Sequence, residues 1–295
     1  MSPRRTPTAL VTGASGQVGR ALRATAPPAW RLVGCDHAAL DVTHPESVAA
    51  ALDRERPALV INAAAYTAVD AAEREADRAE AVNSAGAALV AEEARRIGAR
   101  VIHLSTDFVF DGAQGRPYEP GDRPNPFSVY GRTKLAGERE VLRISSGEAL
   151  VVRTSWIYAA EGRNFVLTML RLMRERPSVG VVCDQVGTPT WARSVAEAIW
   201  AAAARPEVRG ILHWSDAGAA TWYDFAVAIQ EEALAAGLLD RAVPVQPLRT
   251  DEYPAPARRP PYSVLDKSAA YAALGVRPTH WREHLRRMLR EVAAA

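Results

Sequence analysis

A doubly wound α/β fold, with a parallel sheet covered by helices on both faces, is what the sequence predicts. Three observations carry it. Short apolar, β-rich runs alternate with helical patterns through the first half of the 295 residues, as in sheets buried on both sides. The first run ends in a glycine cluster, Gly13, Gly16 and Gly19, where a strand must turn tightly into a helix. Composition is that of a globular chain, with 48% hydrophobic and 24% charged residues.

Thr8–Thr12 (TALVT) reads as a buried strand, residues 17–26 as the helix after it, and Arg31–Cys35 (RLVGC) as a second strand. Thr43-His-Pro-Glu46 has the spacing of a capping box with proline in the first turn, opening a helix over 46–56. Residues 58–62 (ALVIN) form a third strand, and the alanine-rich stretch 76–98 one long helix. A fourth strand over 100–104 (RVIHL) leads into a Pro/Gly-rich loop at 111–126, a helix over 128–143 and an apolar run at 149–153. The second half is less regular. Val166, Met169, Leu170 and Met173 fall at i, i+3, i+4 and i+7, one face of a helix over 164–174. Further helices are expected near 193–204, 222–236 and 281–292. The stretch 243–261 holds six prolines and is expected to be extended or loop. The patterns place a dinucleotide-binding domain over 1–156, with about 178–215 returning to it. A smaller, discontinuous substrate domain then takes most of 157–295.

The 36 Lys and Arg side chains nearly balance the 34 Asp and Glu, leaving a net charge of +2. A nucleic-acid binder would carry a clustered basic excess, so that class is excluded. Two cysteines, Cys35 and Cys183, cannot build a disulfide framework, which points to a reducing compartment. No signal-like segment is read at the start, and no stretch approaches the roughly 20 apolar residues of a membrane span. The expectation is a cytoplasmic protein with neither nucleic acid nor membrane as partner.

In GASGQVG (13–19) the loop backbone can approach a pyrophosphate without side chains in the way, and the helix after it offers unpaired N–H groups to the anion. Its spacing differs from G-x-G-x-x-G. Asp36 follows the second strand, where a carboxylate can bond both hydroxyls of an adenosine ribose and repel a 2′-phosphate. Arg20 and His37 are close enough in sequence to offset that repulsion, so dual use of NADPH and NADH is expected.

Tyr130 and Lys134 are spaced to share one helix face. A phenol has a reference pKa near ~10, and a nearby ammonium is expected to bring it towards the working range. Only two of the 36 basic residues are lysines, Lys134 and Lys267, which makes Lys134 conspicuous. The fourth strand runs on into Ser105-Thr106-Asp107, where a hydroxyl can polarise a carbonyl while the tyrosine protonates it. Glycine turn, strand-end hydroxyls and Tyr/Lys, in that order, form a constellation far more specific than any single part.

The chain resembles the extended short-chain dehydrogenase/reductases, and among them the dTDP-4-dehydrorhamnose reductase family. TGASGQVG (12–19), NAAAYTAVDAAE (62–73), STDFVFDG (105–112) and NPFSVYGRTKLAGE (125–138) carry the resemblance. RTSWIY (153–158), DQVGTPT (184–190) and ARRPPYSVLD (257–266) continue it. It implies a catalytic set of Tyr130, Lys134 and Thr106, with Lys134 also holding the nicotinamide ribose. It implies Gly16, Gln17 and Val18 at the pyrophosphate, Asp41 and Val42 beside the adenine, and Ala63, Ala64, Ala65 and Thr67 along the cofactor. Thr106, Asp107 and Trp156 correspond to sugar contacts. Asn164, Arg258 and Arg259 are assigned to the nucleotide diphosphate. The implied reaction is NAD(P)H-dependent reduction of the C4 ketone of a dTDP-6-deoxy-4-keto sugar, dTDP-4-dehydro-β-L-rhamnose first. Alternatives are another dTDP-4-keto sugar, as for a dihydrostreptose synthase, or a non-catalytic subunit like the methionine adenosyltransferase β subunit.

Two departures from the family pattern stand out. Phe108 replaces a more usual tyrosine, a change expected to be silent. Some members join subunits through magnesium held by glutamates, but of Ala21, Arg193 and Glu291 only Glu291 is acidic, so that metal-bridged pairing is not expected here. A homodimer of another kind stays open. His280-Trp-Arg-Glu283-His284 fits an inverted zinc-protease pattern, yet the chain has only 11 further residues in which to supply another ligand, and a surface helix is expected there instead. His103 is read as a hydrogen-bonded core residue, and Trp191, Trp200 and Trp214 as core. Trp156, after a strand end, is read as a plate for stacking on a hexose.

Overall fold

The structure, a computed structural model, describes residues 6–294. Six parallel strands form the central sheet: β1 (Thr8–Thr12), β2 (Arg31–Cys35), β3 (Leu59–Asn62), β4 (Arg100–Thr106), β5 (Leu150–Thr154) and, later in the chain, β10 (Gly210–His213). Four short strands, β6 (Ile157–Tyr158), β7 (Val179–Val182), β8 (Val186–Gly187) and β9 (Thr190–Trp191), lie between β5 and β10. After β10 come β11 (Ala220–Thr221) and β12 (Val245–Leu248). The sheet order is β10-β5-β4-β3-β1-β2, so the chain leaves β1 to one side and later resumes on the other. The reversal opens a crevice at the carboxyl ends of β1 and β3, the place where open α/β sheets take ligands. Every residue of β1, β3 and β5 is buried, which is why these segments read as continuous apolar runs.

Helices α1 (Gln17–Ala24), α2 (Pro45–Glu55), α3 (Val69–Ala72), α4 (Ala76–Glu80), α5 (Gly86–Arg96) and α6 (Val129–Ile144) accompany the first five strands. Then follow α7 (Phe165–Glu175), α8 (Ala192–Ala203), α9 (Trp222–Ala235), α10 (Ser268–Leu274) and α11 (Trp281–Ala294). One core joins β1, β3, β4 and β5 to α1 and α8, and a second lies on the opposite face between the sheet, α2 and α5. A third, separate core holds α7, α9 and α11 over β7.

Two local expectations change. The capping box does not form, because the Thr43 hydroxyl donates to Asp41 Oδ1 at 2.7 Å and His44 takes the N-cap place. The long helix over 76–98 is interrupted at Ala81–Ala85 by a π turn. Alanine-rich periodicity cannot reveal that turn. Buried Asn83 within it accepts from Tyr66 N at 2.9 Å and donates to Tyr66 O and Thr133 Oγ1, both at 3.1 Å. A widened turn of this kind commonly marks a functional place.

Candidate active site

The turn after β1 is shaped by its glycines. Gly13 has φ +65°, and a Cβ there would stand 2.8 Å from Ala63 O and Ala64 N. Any side chain would therefore drive apart the β1 turn and the segment after β3. Gly16 is the N-cap of α1 and brings no side-chain cap, so the first N–H groups of the helix, from Gln17 and Val18 on, are left to an anion. Gly19 packs against Gly13 and Ala14. These features fit a dinucleotide pyrophosphate. Asp36 is exposed just beyond β2, and its Oδ1 accepts from Ala39 N at 3.0 Å. Asp41 Oδ1 accepts from Thr43 N at 2.9 Å, and Val42 is buried beside it. Ala63, Ala64 and Ala65 are half-buried and Thr67 is exposed along the lip of the crevice.

From this turn a polar chain crosses the sheet. Thr12, Asn62 and His103 are direct register neighbours on β1, β3 and β4. Ala64 N donates to Thr12 Oγ1 at 3.2 Å, and Thr12 donates to Asn62 Oδ1 at 2.7 Å. Asn62 Nδ2 lies 3.1 Å from His103 Nδ1, and Lys134 Nζ 3.5 Å from His103 Nε2. Burial, and then the Lys134 charge, push His103 well below the usual histidine range, so the ring is neutral.

Ser128 caps α6 by accepting from Gly131 N at 3.1 Å, and the helix then carries Tyr130 and Lys134 inward. Gly131 lets it approach closely, since a Cβ there would meet Phe108 O at 2.3 Å. Lys134 is 2% exposed and donates to Leu104 O at 2.6 Å. Burial pushes the Lys134 ammonium down to about 8, with Glu138, one turn on, pulling it back up. The Tyr130 phenol moves the other way. Burial raises it to about 12, the nearby Thr106 hydroxyl acts against this, and the Asp107 carboxylate adds to it. The lowering expected from Lys134 is absent because its ammonium is turned to the Leu104 carbonyl. A phenol in that range is fully protonated at neutral pH, which suits a proton donor.

Thr106 ends β4, and its Oγ1 donates to Asp107 Oδ1 at 3.1 Å and accepts from Phe108 N at 3.2 Å. Asp107 is 2% exposed, and its Oδ2 has no partner in the protein. Burial raises its carboxyl to about 6, while the Ser263 and Thr106 hydroxyls beside it lower it. The Phe108 ring stands edge-on to Tyr130, with centroids 5.7 Å apart. A phenol, a hydroxyl, a carboxyl with a free oxygen and a buried ammonium thus meet at the crevice mouth. That set can protonate a carbonyl oxygen as it gains electrons.

A family model described as RmlD substrate binding domain matches residues 8–294. The chain belongs to this family. It is 40% identical over 287 residues to a spore coat polysaccharide biosynthesis protein of Bacillus subtilis (strain 168), covering 97% of this chain and 98% of that one. It is 39% identical over 284 residues to the dTDP-4-dehydrorhamnose reductase of Aggregatibacter actinomycetemcomitans, covering 94% and 96%. Among solved structures, that of dTDP-4-dehydrorhamnose reductase from Bacillus anthracis str. Ames, in complex with NADP, superposes with a TM-score of 0.91 at 35% identity, over 97% of this chain and 99% of that one.

Against this family background, the residues expected at the substrate are placed unevenly. Thr106 and Asp107 adjoin Tyr130. Trp156, at φ +45°, stacks on Trp222 with centroids 3.5 Å apart and packs against Gly187. That ring is built into an aromatic stack, which leaves it less open as a plate than expected. Asn164 caps α7 by accepting from Leu167 N at 3.0 Å, and its Nδ2 donates to Gln17 Oε1 at 3.0 Å and Ala159 O at 2.8 Å. Its polar atoms join α7 to the glycine turn instead of standing free. Arg259 forks onto Asp70, and Arg258 lies over the Phe127 ring at 3.9 Å. Arg20 is held by Ser15 O and by Glu161, and His37 faces Asp41, so neither is turned to an Asp36 ribose site.

At the positions that carry a bridging magnesium in some members, Arg193 Nε lies 3.0 Å from Glu197 Oε1 and its Nη1 3.7 Å from Glu291 Oε1. A guanidinium among those carboxylates does not fit a cation site. His284 of the zinc-like pattern is buried, with Nδ1 2.8 Å from Asp216 Oδ2, and Glu283 pairs with Arg287. Trp191, Trp200 and Trp214 are core residues, as expected. Sequence reasoning missed Asn62, Asp70, Glu73, Asn83 and Ser263. Asn62 carried the clearest signal, as an amide closing an otherwise apolar strand.

Proposed function

We propose that this chain reduces the C4 ketone of dTDP-4-dehydro-β-L-rhamnose to give dTDP-L-rhamnose, using NADPH or NADH. The single observation that carries the reading is the protonated Tyr130 phenol beside the Thr106 hydroxyl and buried Asp107, one helical turn from Lys134. Relatives near 40% identity over almost the whole chain, named dTDP-4-dehydrorhamnose reductase, supply the substrate. The intact Tyr130, Lys134 and Thr106 weigh against a non-catalytic subunit.

Gly13, Gly16 and the first N–H groups of α1 would hold the pyrophosphate of a reduced nicotinamide cofactor, which when bound would supply the hydride for C4. Tyr130 holds a proton at Oη and gives it to the C4 oxygen as negative charge develops there. The Thr106 hydroxyl, able to swing its proton from Asp107 to that oxygen, stabilises the charge as it forms, where an enzyme gains most of its rate. Lys134, its ammonium anchored on the Leu104 carbonyl, would hold the nicotinamide ribose. The free Asp107 Oδ2 accepts from a sugar hydroxyl. We place the enzyme in the cytoplasm: its cysteines are free, and no helix among the described residues is long and apolar enough to cross a membrane.

Purified protein mixed with dTDP-4-dehydro-β-L-rhamnose and NADPH should yield dTDP-L-rhamnose and NADP+ in equal amounts. Turnover of a different dTDP-4-keto sugar in preference would reassign the substrate.

A further inference from the structure

Asp70 lies outside the catalytic set, yet it joins two segments, its own helix α3 and the strap over 257–263. Arg259 Nη2 donates to its Oδ2 at 2.7 Å and Nη1 to its Oδ1 at 3.1 Å, a bidentate fork, and Ala257 N adds a third bond to Oδ1 at 3.1 Å. Arg259 Nη1 also donates to Ala257 O at 3.0 Å, closing the strap on itself. Asp70 belongs to α3, and Glu73, directly after α3, accepts from Val129 N at 2.8 Å with its Oε1, at the first residue of α6. Ala72 of α3 packs in one apolar cluster with Val129 and Tyr130. On the far side the strap runs on to buried Ser263, beside Asp107.

We infer that Asp70 is a positioning residue: it ties the strap over 257–263, through α3 and Glu73, to the start of α6, and so sets where the Tyr130 phenol stands against Thr106. The kinetic part of this inference rests on the proposed function. As a plain surface pair, Arg259–Asp70 would add little stability, since the side chains are 25% and 42% exposed. Its worth lies in geometry. A bidentate carboxylate fixes direction as well as distance, and a proton donor displaced by an ångström can lose on the order of 10²-fold in rate. The same fork also gives Arg259 an occupation other than the nucleotide diphosphate.

Two measurements test this. Asp70→Asn and Arg259→Gln should each lower kcat about ten-fold while moving the sugar KM by about two-fold or less, the sign of a misplaced donor and not of lost binding. The exchanged pair Asp70→Arg with Arg259→Asp should recover part of the loss. Hydrogen exchange, run without any substrate, should show the Val129 amide and the 127–131 segment opening faster in Asp70→Asn than in the parent. Unchanged exchange there overturns the inference. So does a raised KM confined to Arg259→Gln with Asp70→Asn silent, which would make Arg259 a diphosphate ligand. If the parent fails to turn over the sugar, the proposed function falls, and the exchange measurement still decides the role of Asp70.

Discussion

The cofactor side and the substrate side of the crevice are held together by different forces. On the cofactor side the groups sit at the ends of buried parallel strands: Gly13 after β1 and Ala63 after β3. The sheet places them, and sheets are placed by apolar burial. On the substrate side the segments 155–165 and 249–263 are irregular, and polar contacts do the placing: Asn164 to Gln17, Arg259 to Asp70, Ser263 to Asp107. The same residue types that would greet a nucleotide sugar are here also the fasteners of the chain. An arginine or asparagine in such a region therefore cannot be assigned to ligand from its type alone.

The comparison breaks most visibly if the chemistry is not on the sheet side. Tyr130→Phe should lower kcat by about 10²–10⁴-fold, the usual worth of a general acid, with cofactor affinity nearly unchanged in fluorescence titration. Near-normal turnover would move the proton donor elsewhere.

Next in size is the pH dependence of kcat/KM, which reports groups of the free enzyme. Lys134, pushed down to about 8 by burial, loses its charge as pH rises through that value, so the rate should fall above it. Asp107, raised to about 6 by burial, is protonated below that value and loses a hydrogen-bond acceptor for the sugar, so the rate should fall there too. Each limb should approach ten-fold per pH unit. Lys134→Met should be slow and lack the alkaline limb, and Asp107→Asn should lack the acid limb. A flat profile from pH 5 to 9 would deny both roles.

Much of the sheet side was legible in the sequence, because burial on both faces writes itself as apolar runs and a glycine turn cannot be built from other residues. Tyr130 and Lys134 were legible by helical spacing. The direction of the tyrosine shift was not, since spacing says nothing of where an ammonium points, and Leu104 O captures it. Asn83 was hidden for a related reason. Its amide meets Tyr66 and Thr133, residues distant in sequence, and the π turn that aims it leaves no periodic trace. On the substrate side the resemblance named Arg258, Arg259 and Asn164, but only coordinates reveal what those groups already hold.

Asn83 sharpens the comparison, as a polar fastener on the sheet side. Asn83→Ala leaves Tyr66 N and O short of partners and should destabilise the fold by about 1–3 kcal/mol in urea unfolding. A change within about 0.5 kcal/mol, the range of ordinary surface substitutions, would show that Tyr66 finds other partners. The smallest effect is expected at Asp36. Asp36→Ala should improve KM for NADPH and worsen it for NADH, each by roughly three-fold, since an exposed like charge is screened. If both constants stay put, Asp36 does not touch the ribose.

The central claim, that this crevice reduces C4 of a dTDP-4-keto sugar with Tyr130 as donor, has one most direct measurement. NADPH carrying deuterium at the nicotinamide C4 position is mixed with stoichiometric dTDP-4-dehydro-β-L-rhamnose and protein, and the sugar is read by NMR. dTDP-L-rhamnose labelled at C4 should form with the parent protein, and almost none in the same time with Tyr130→Phe. Label absent from C4, or equal label with both proteins, would contradict it.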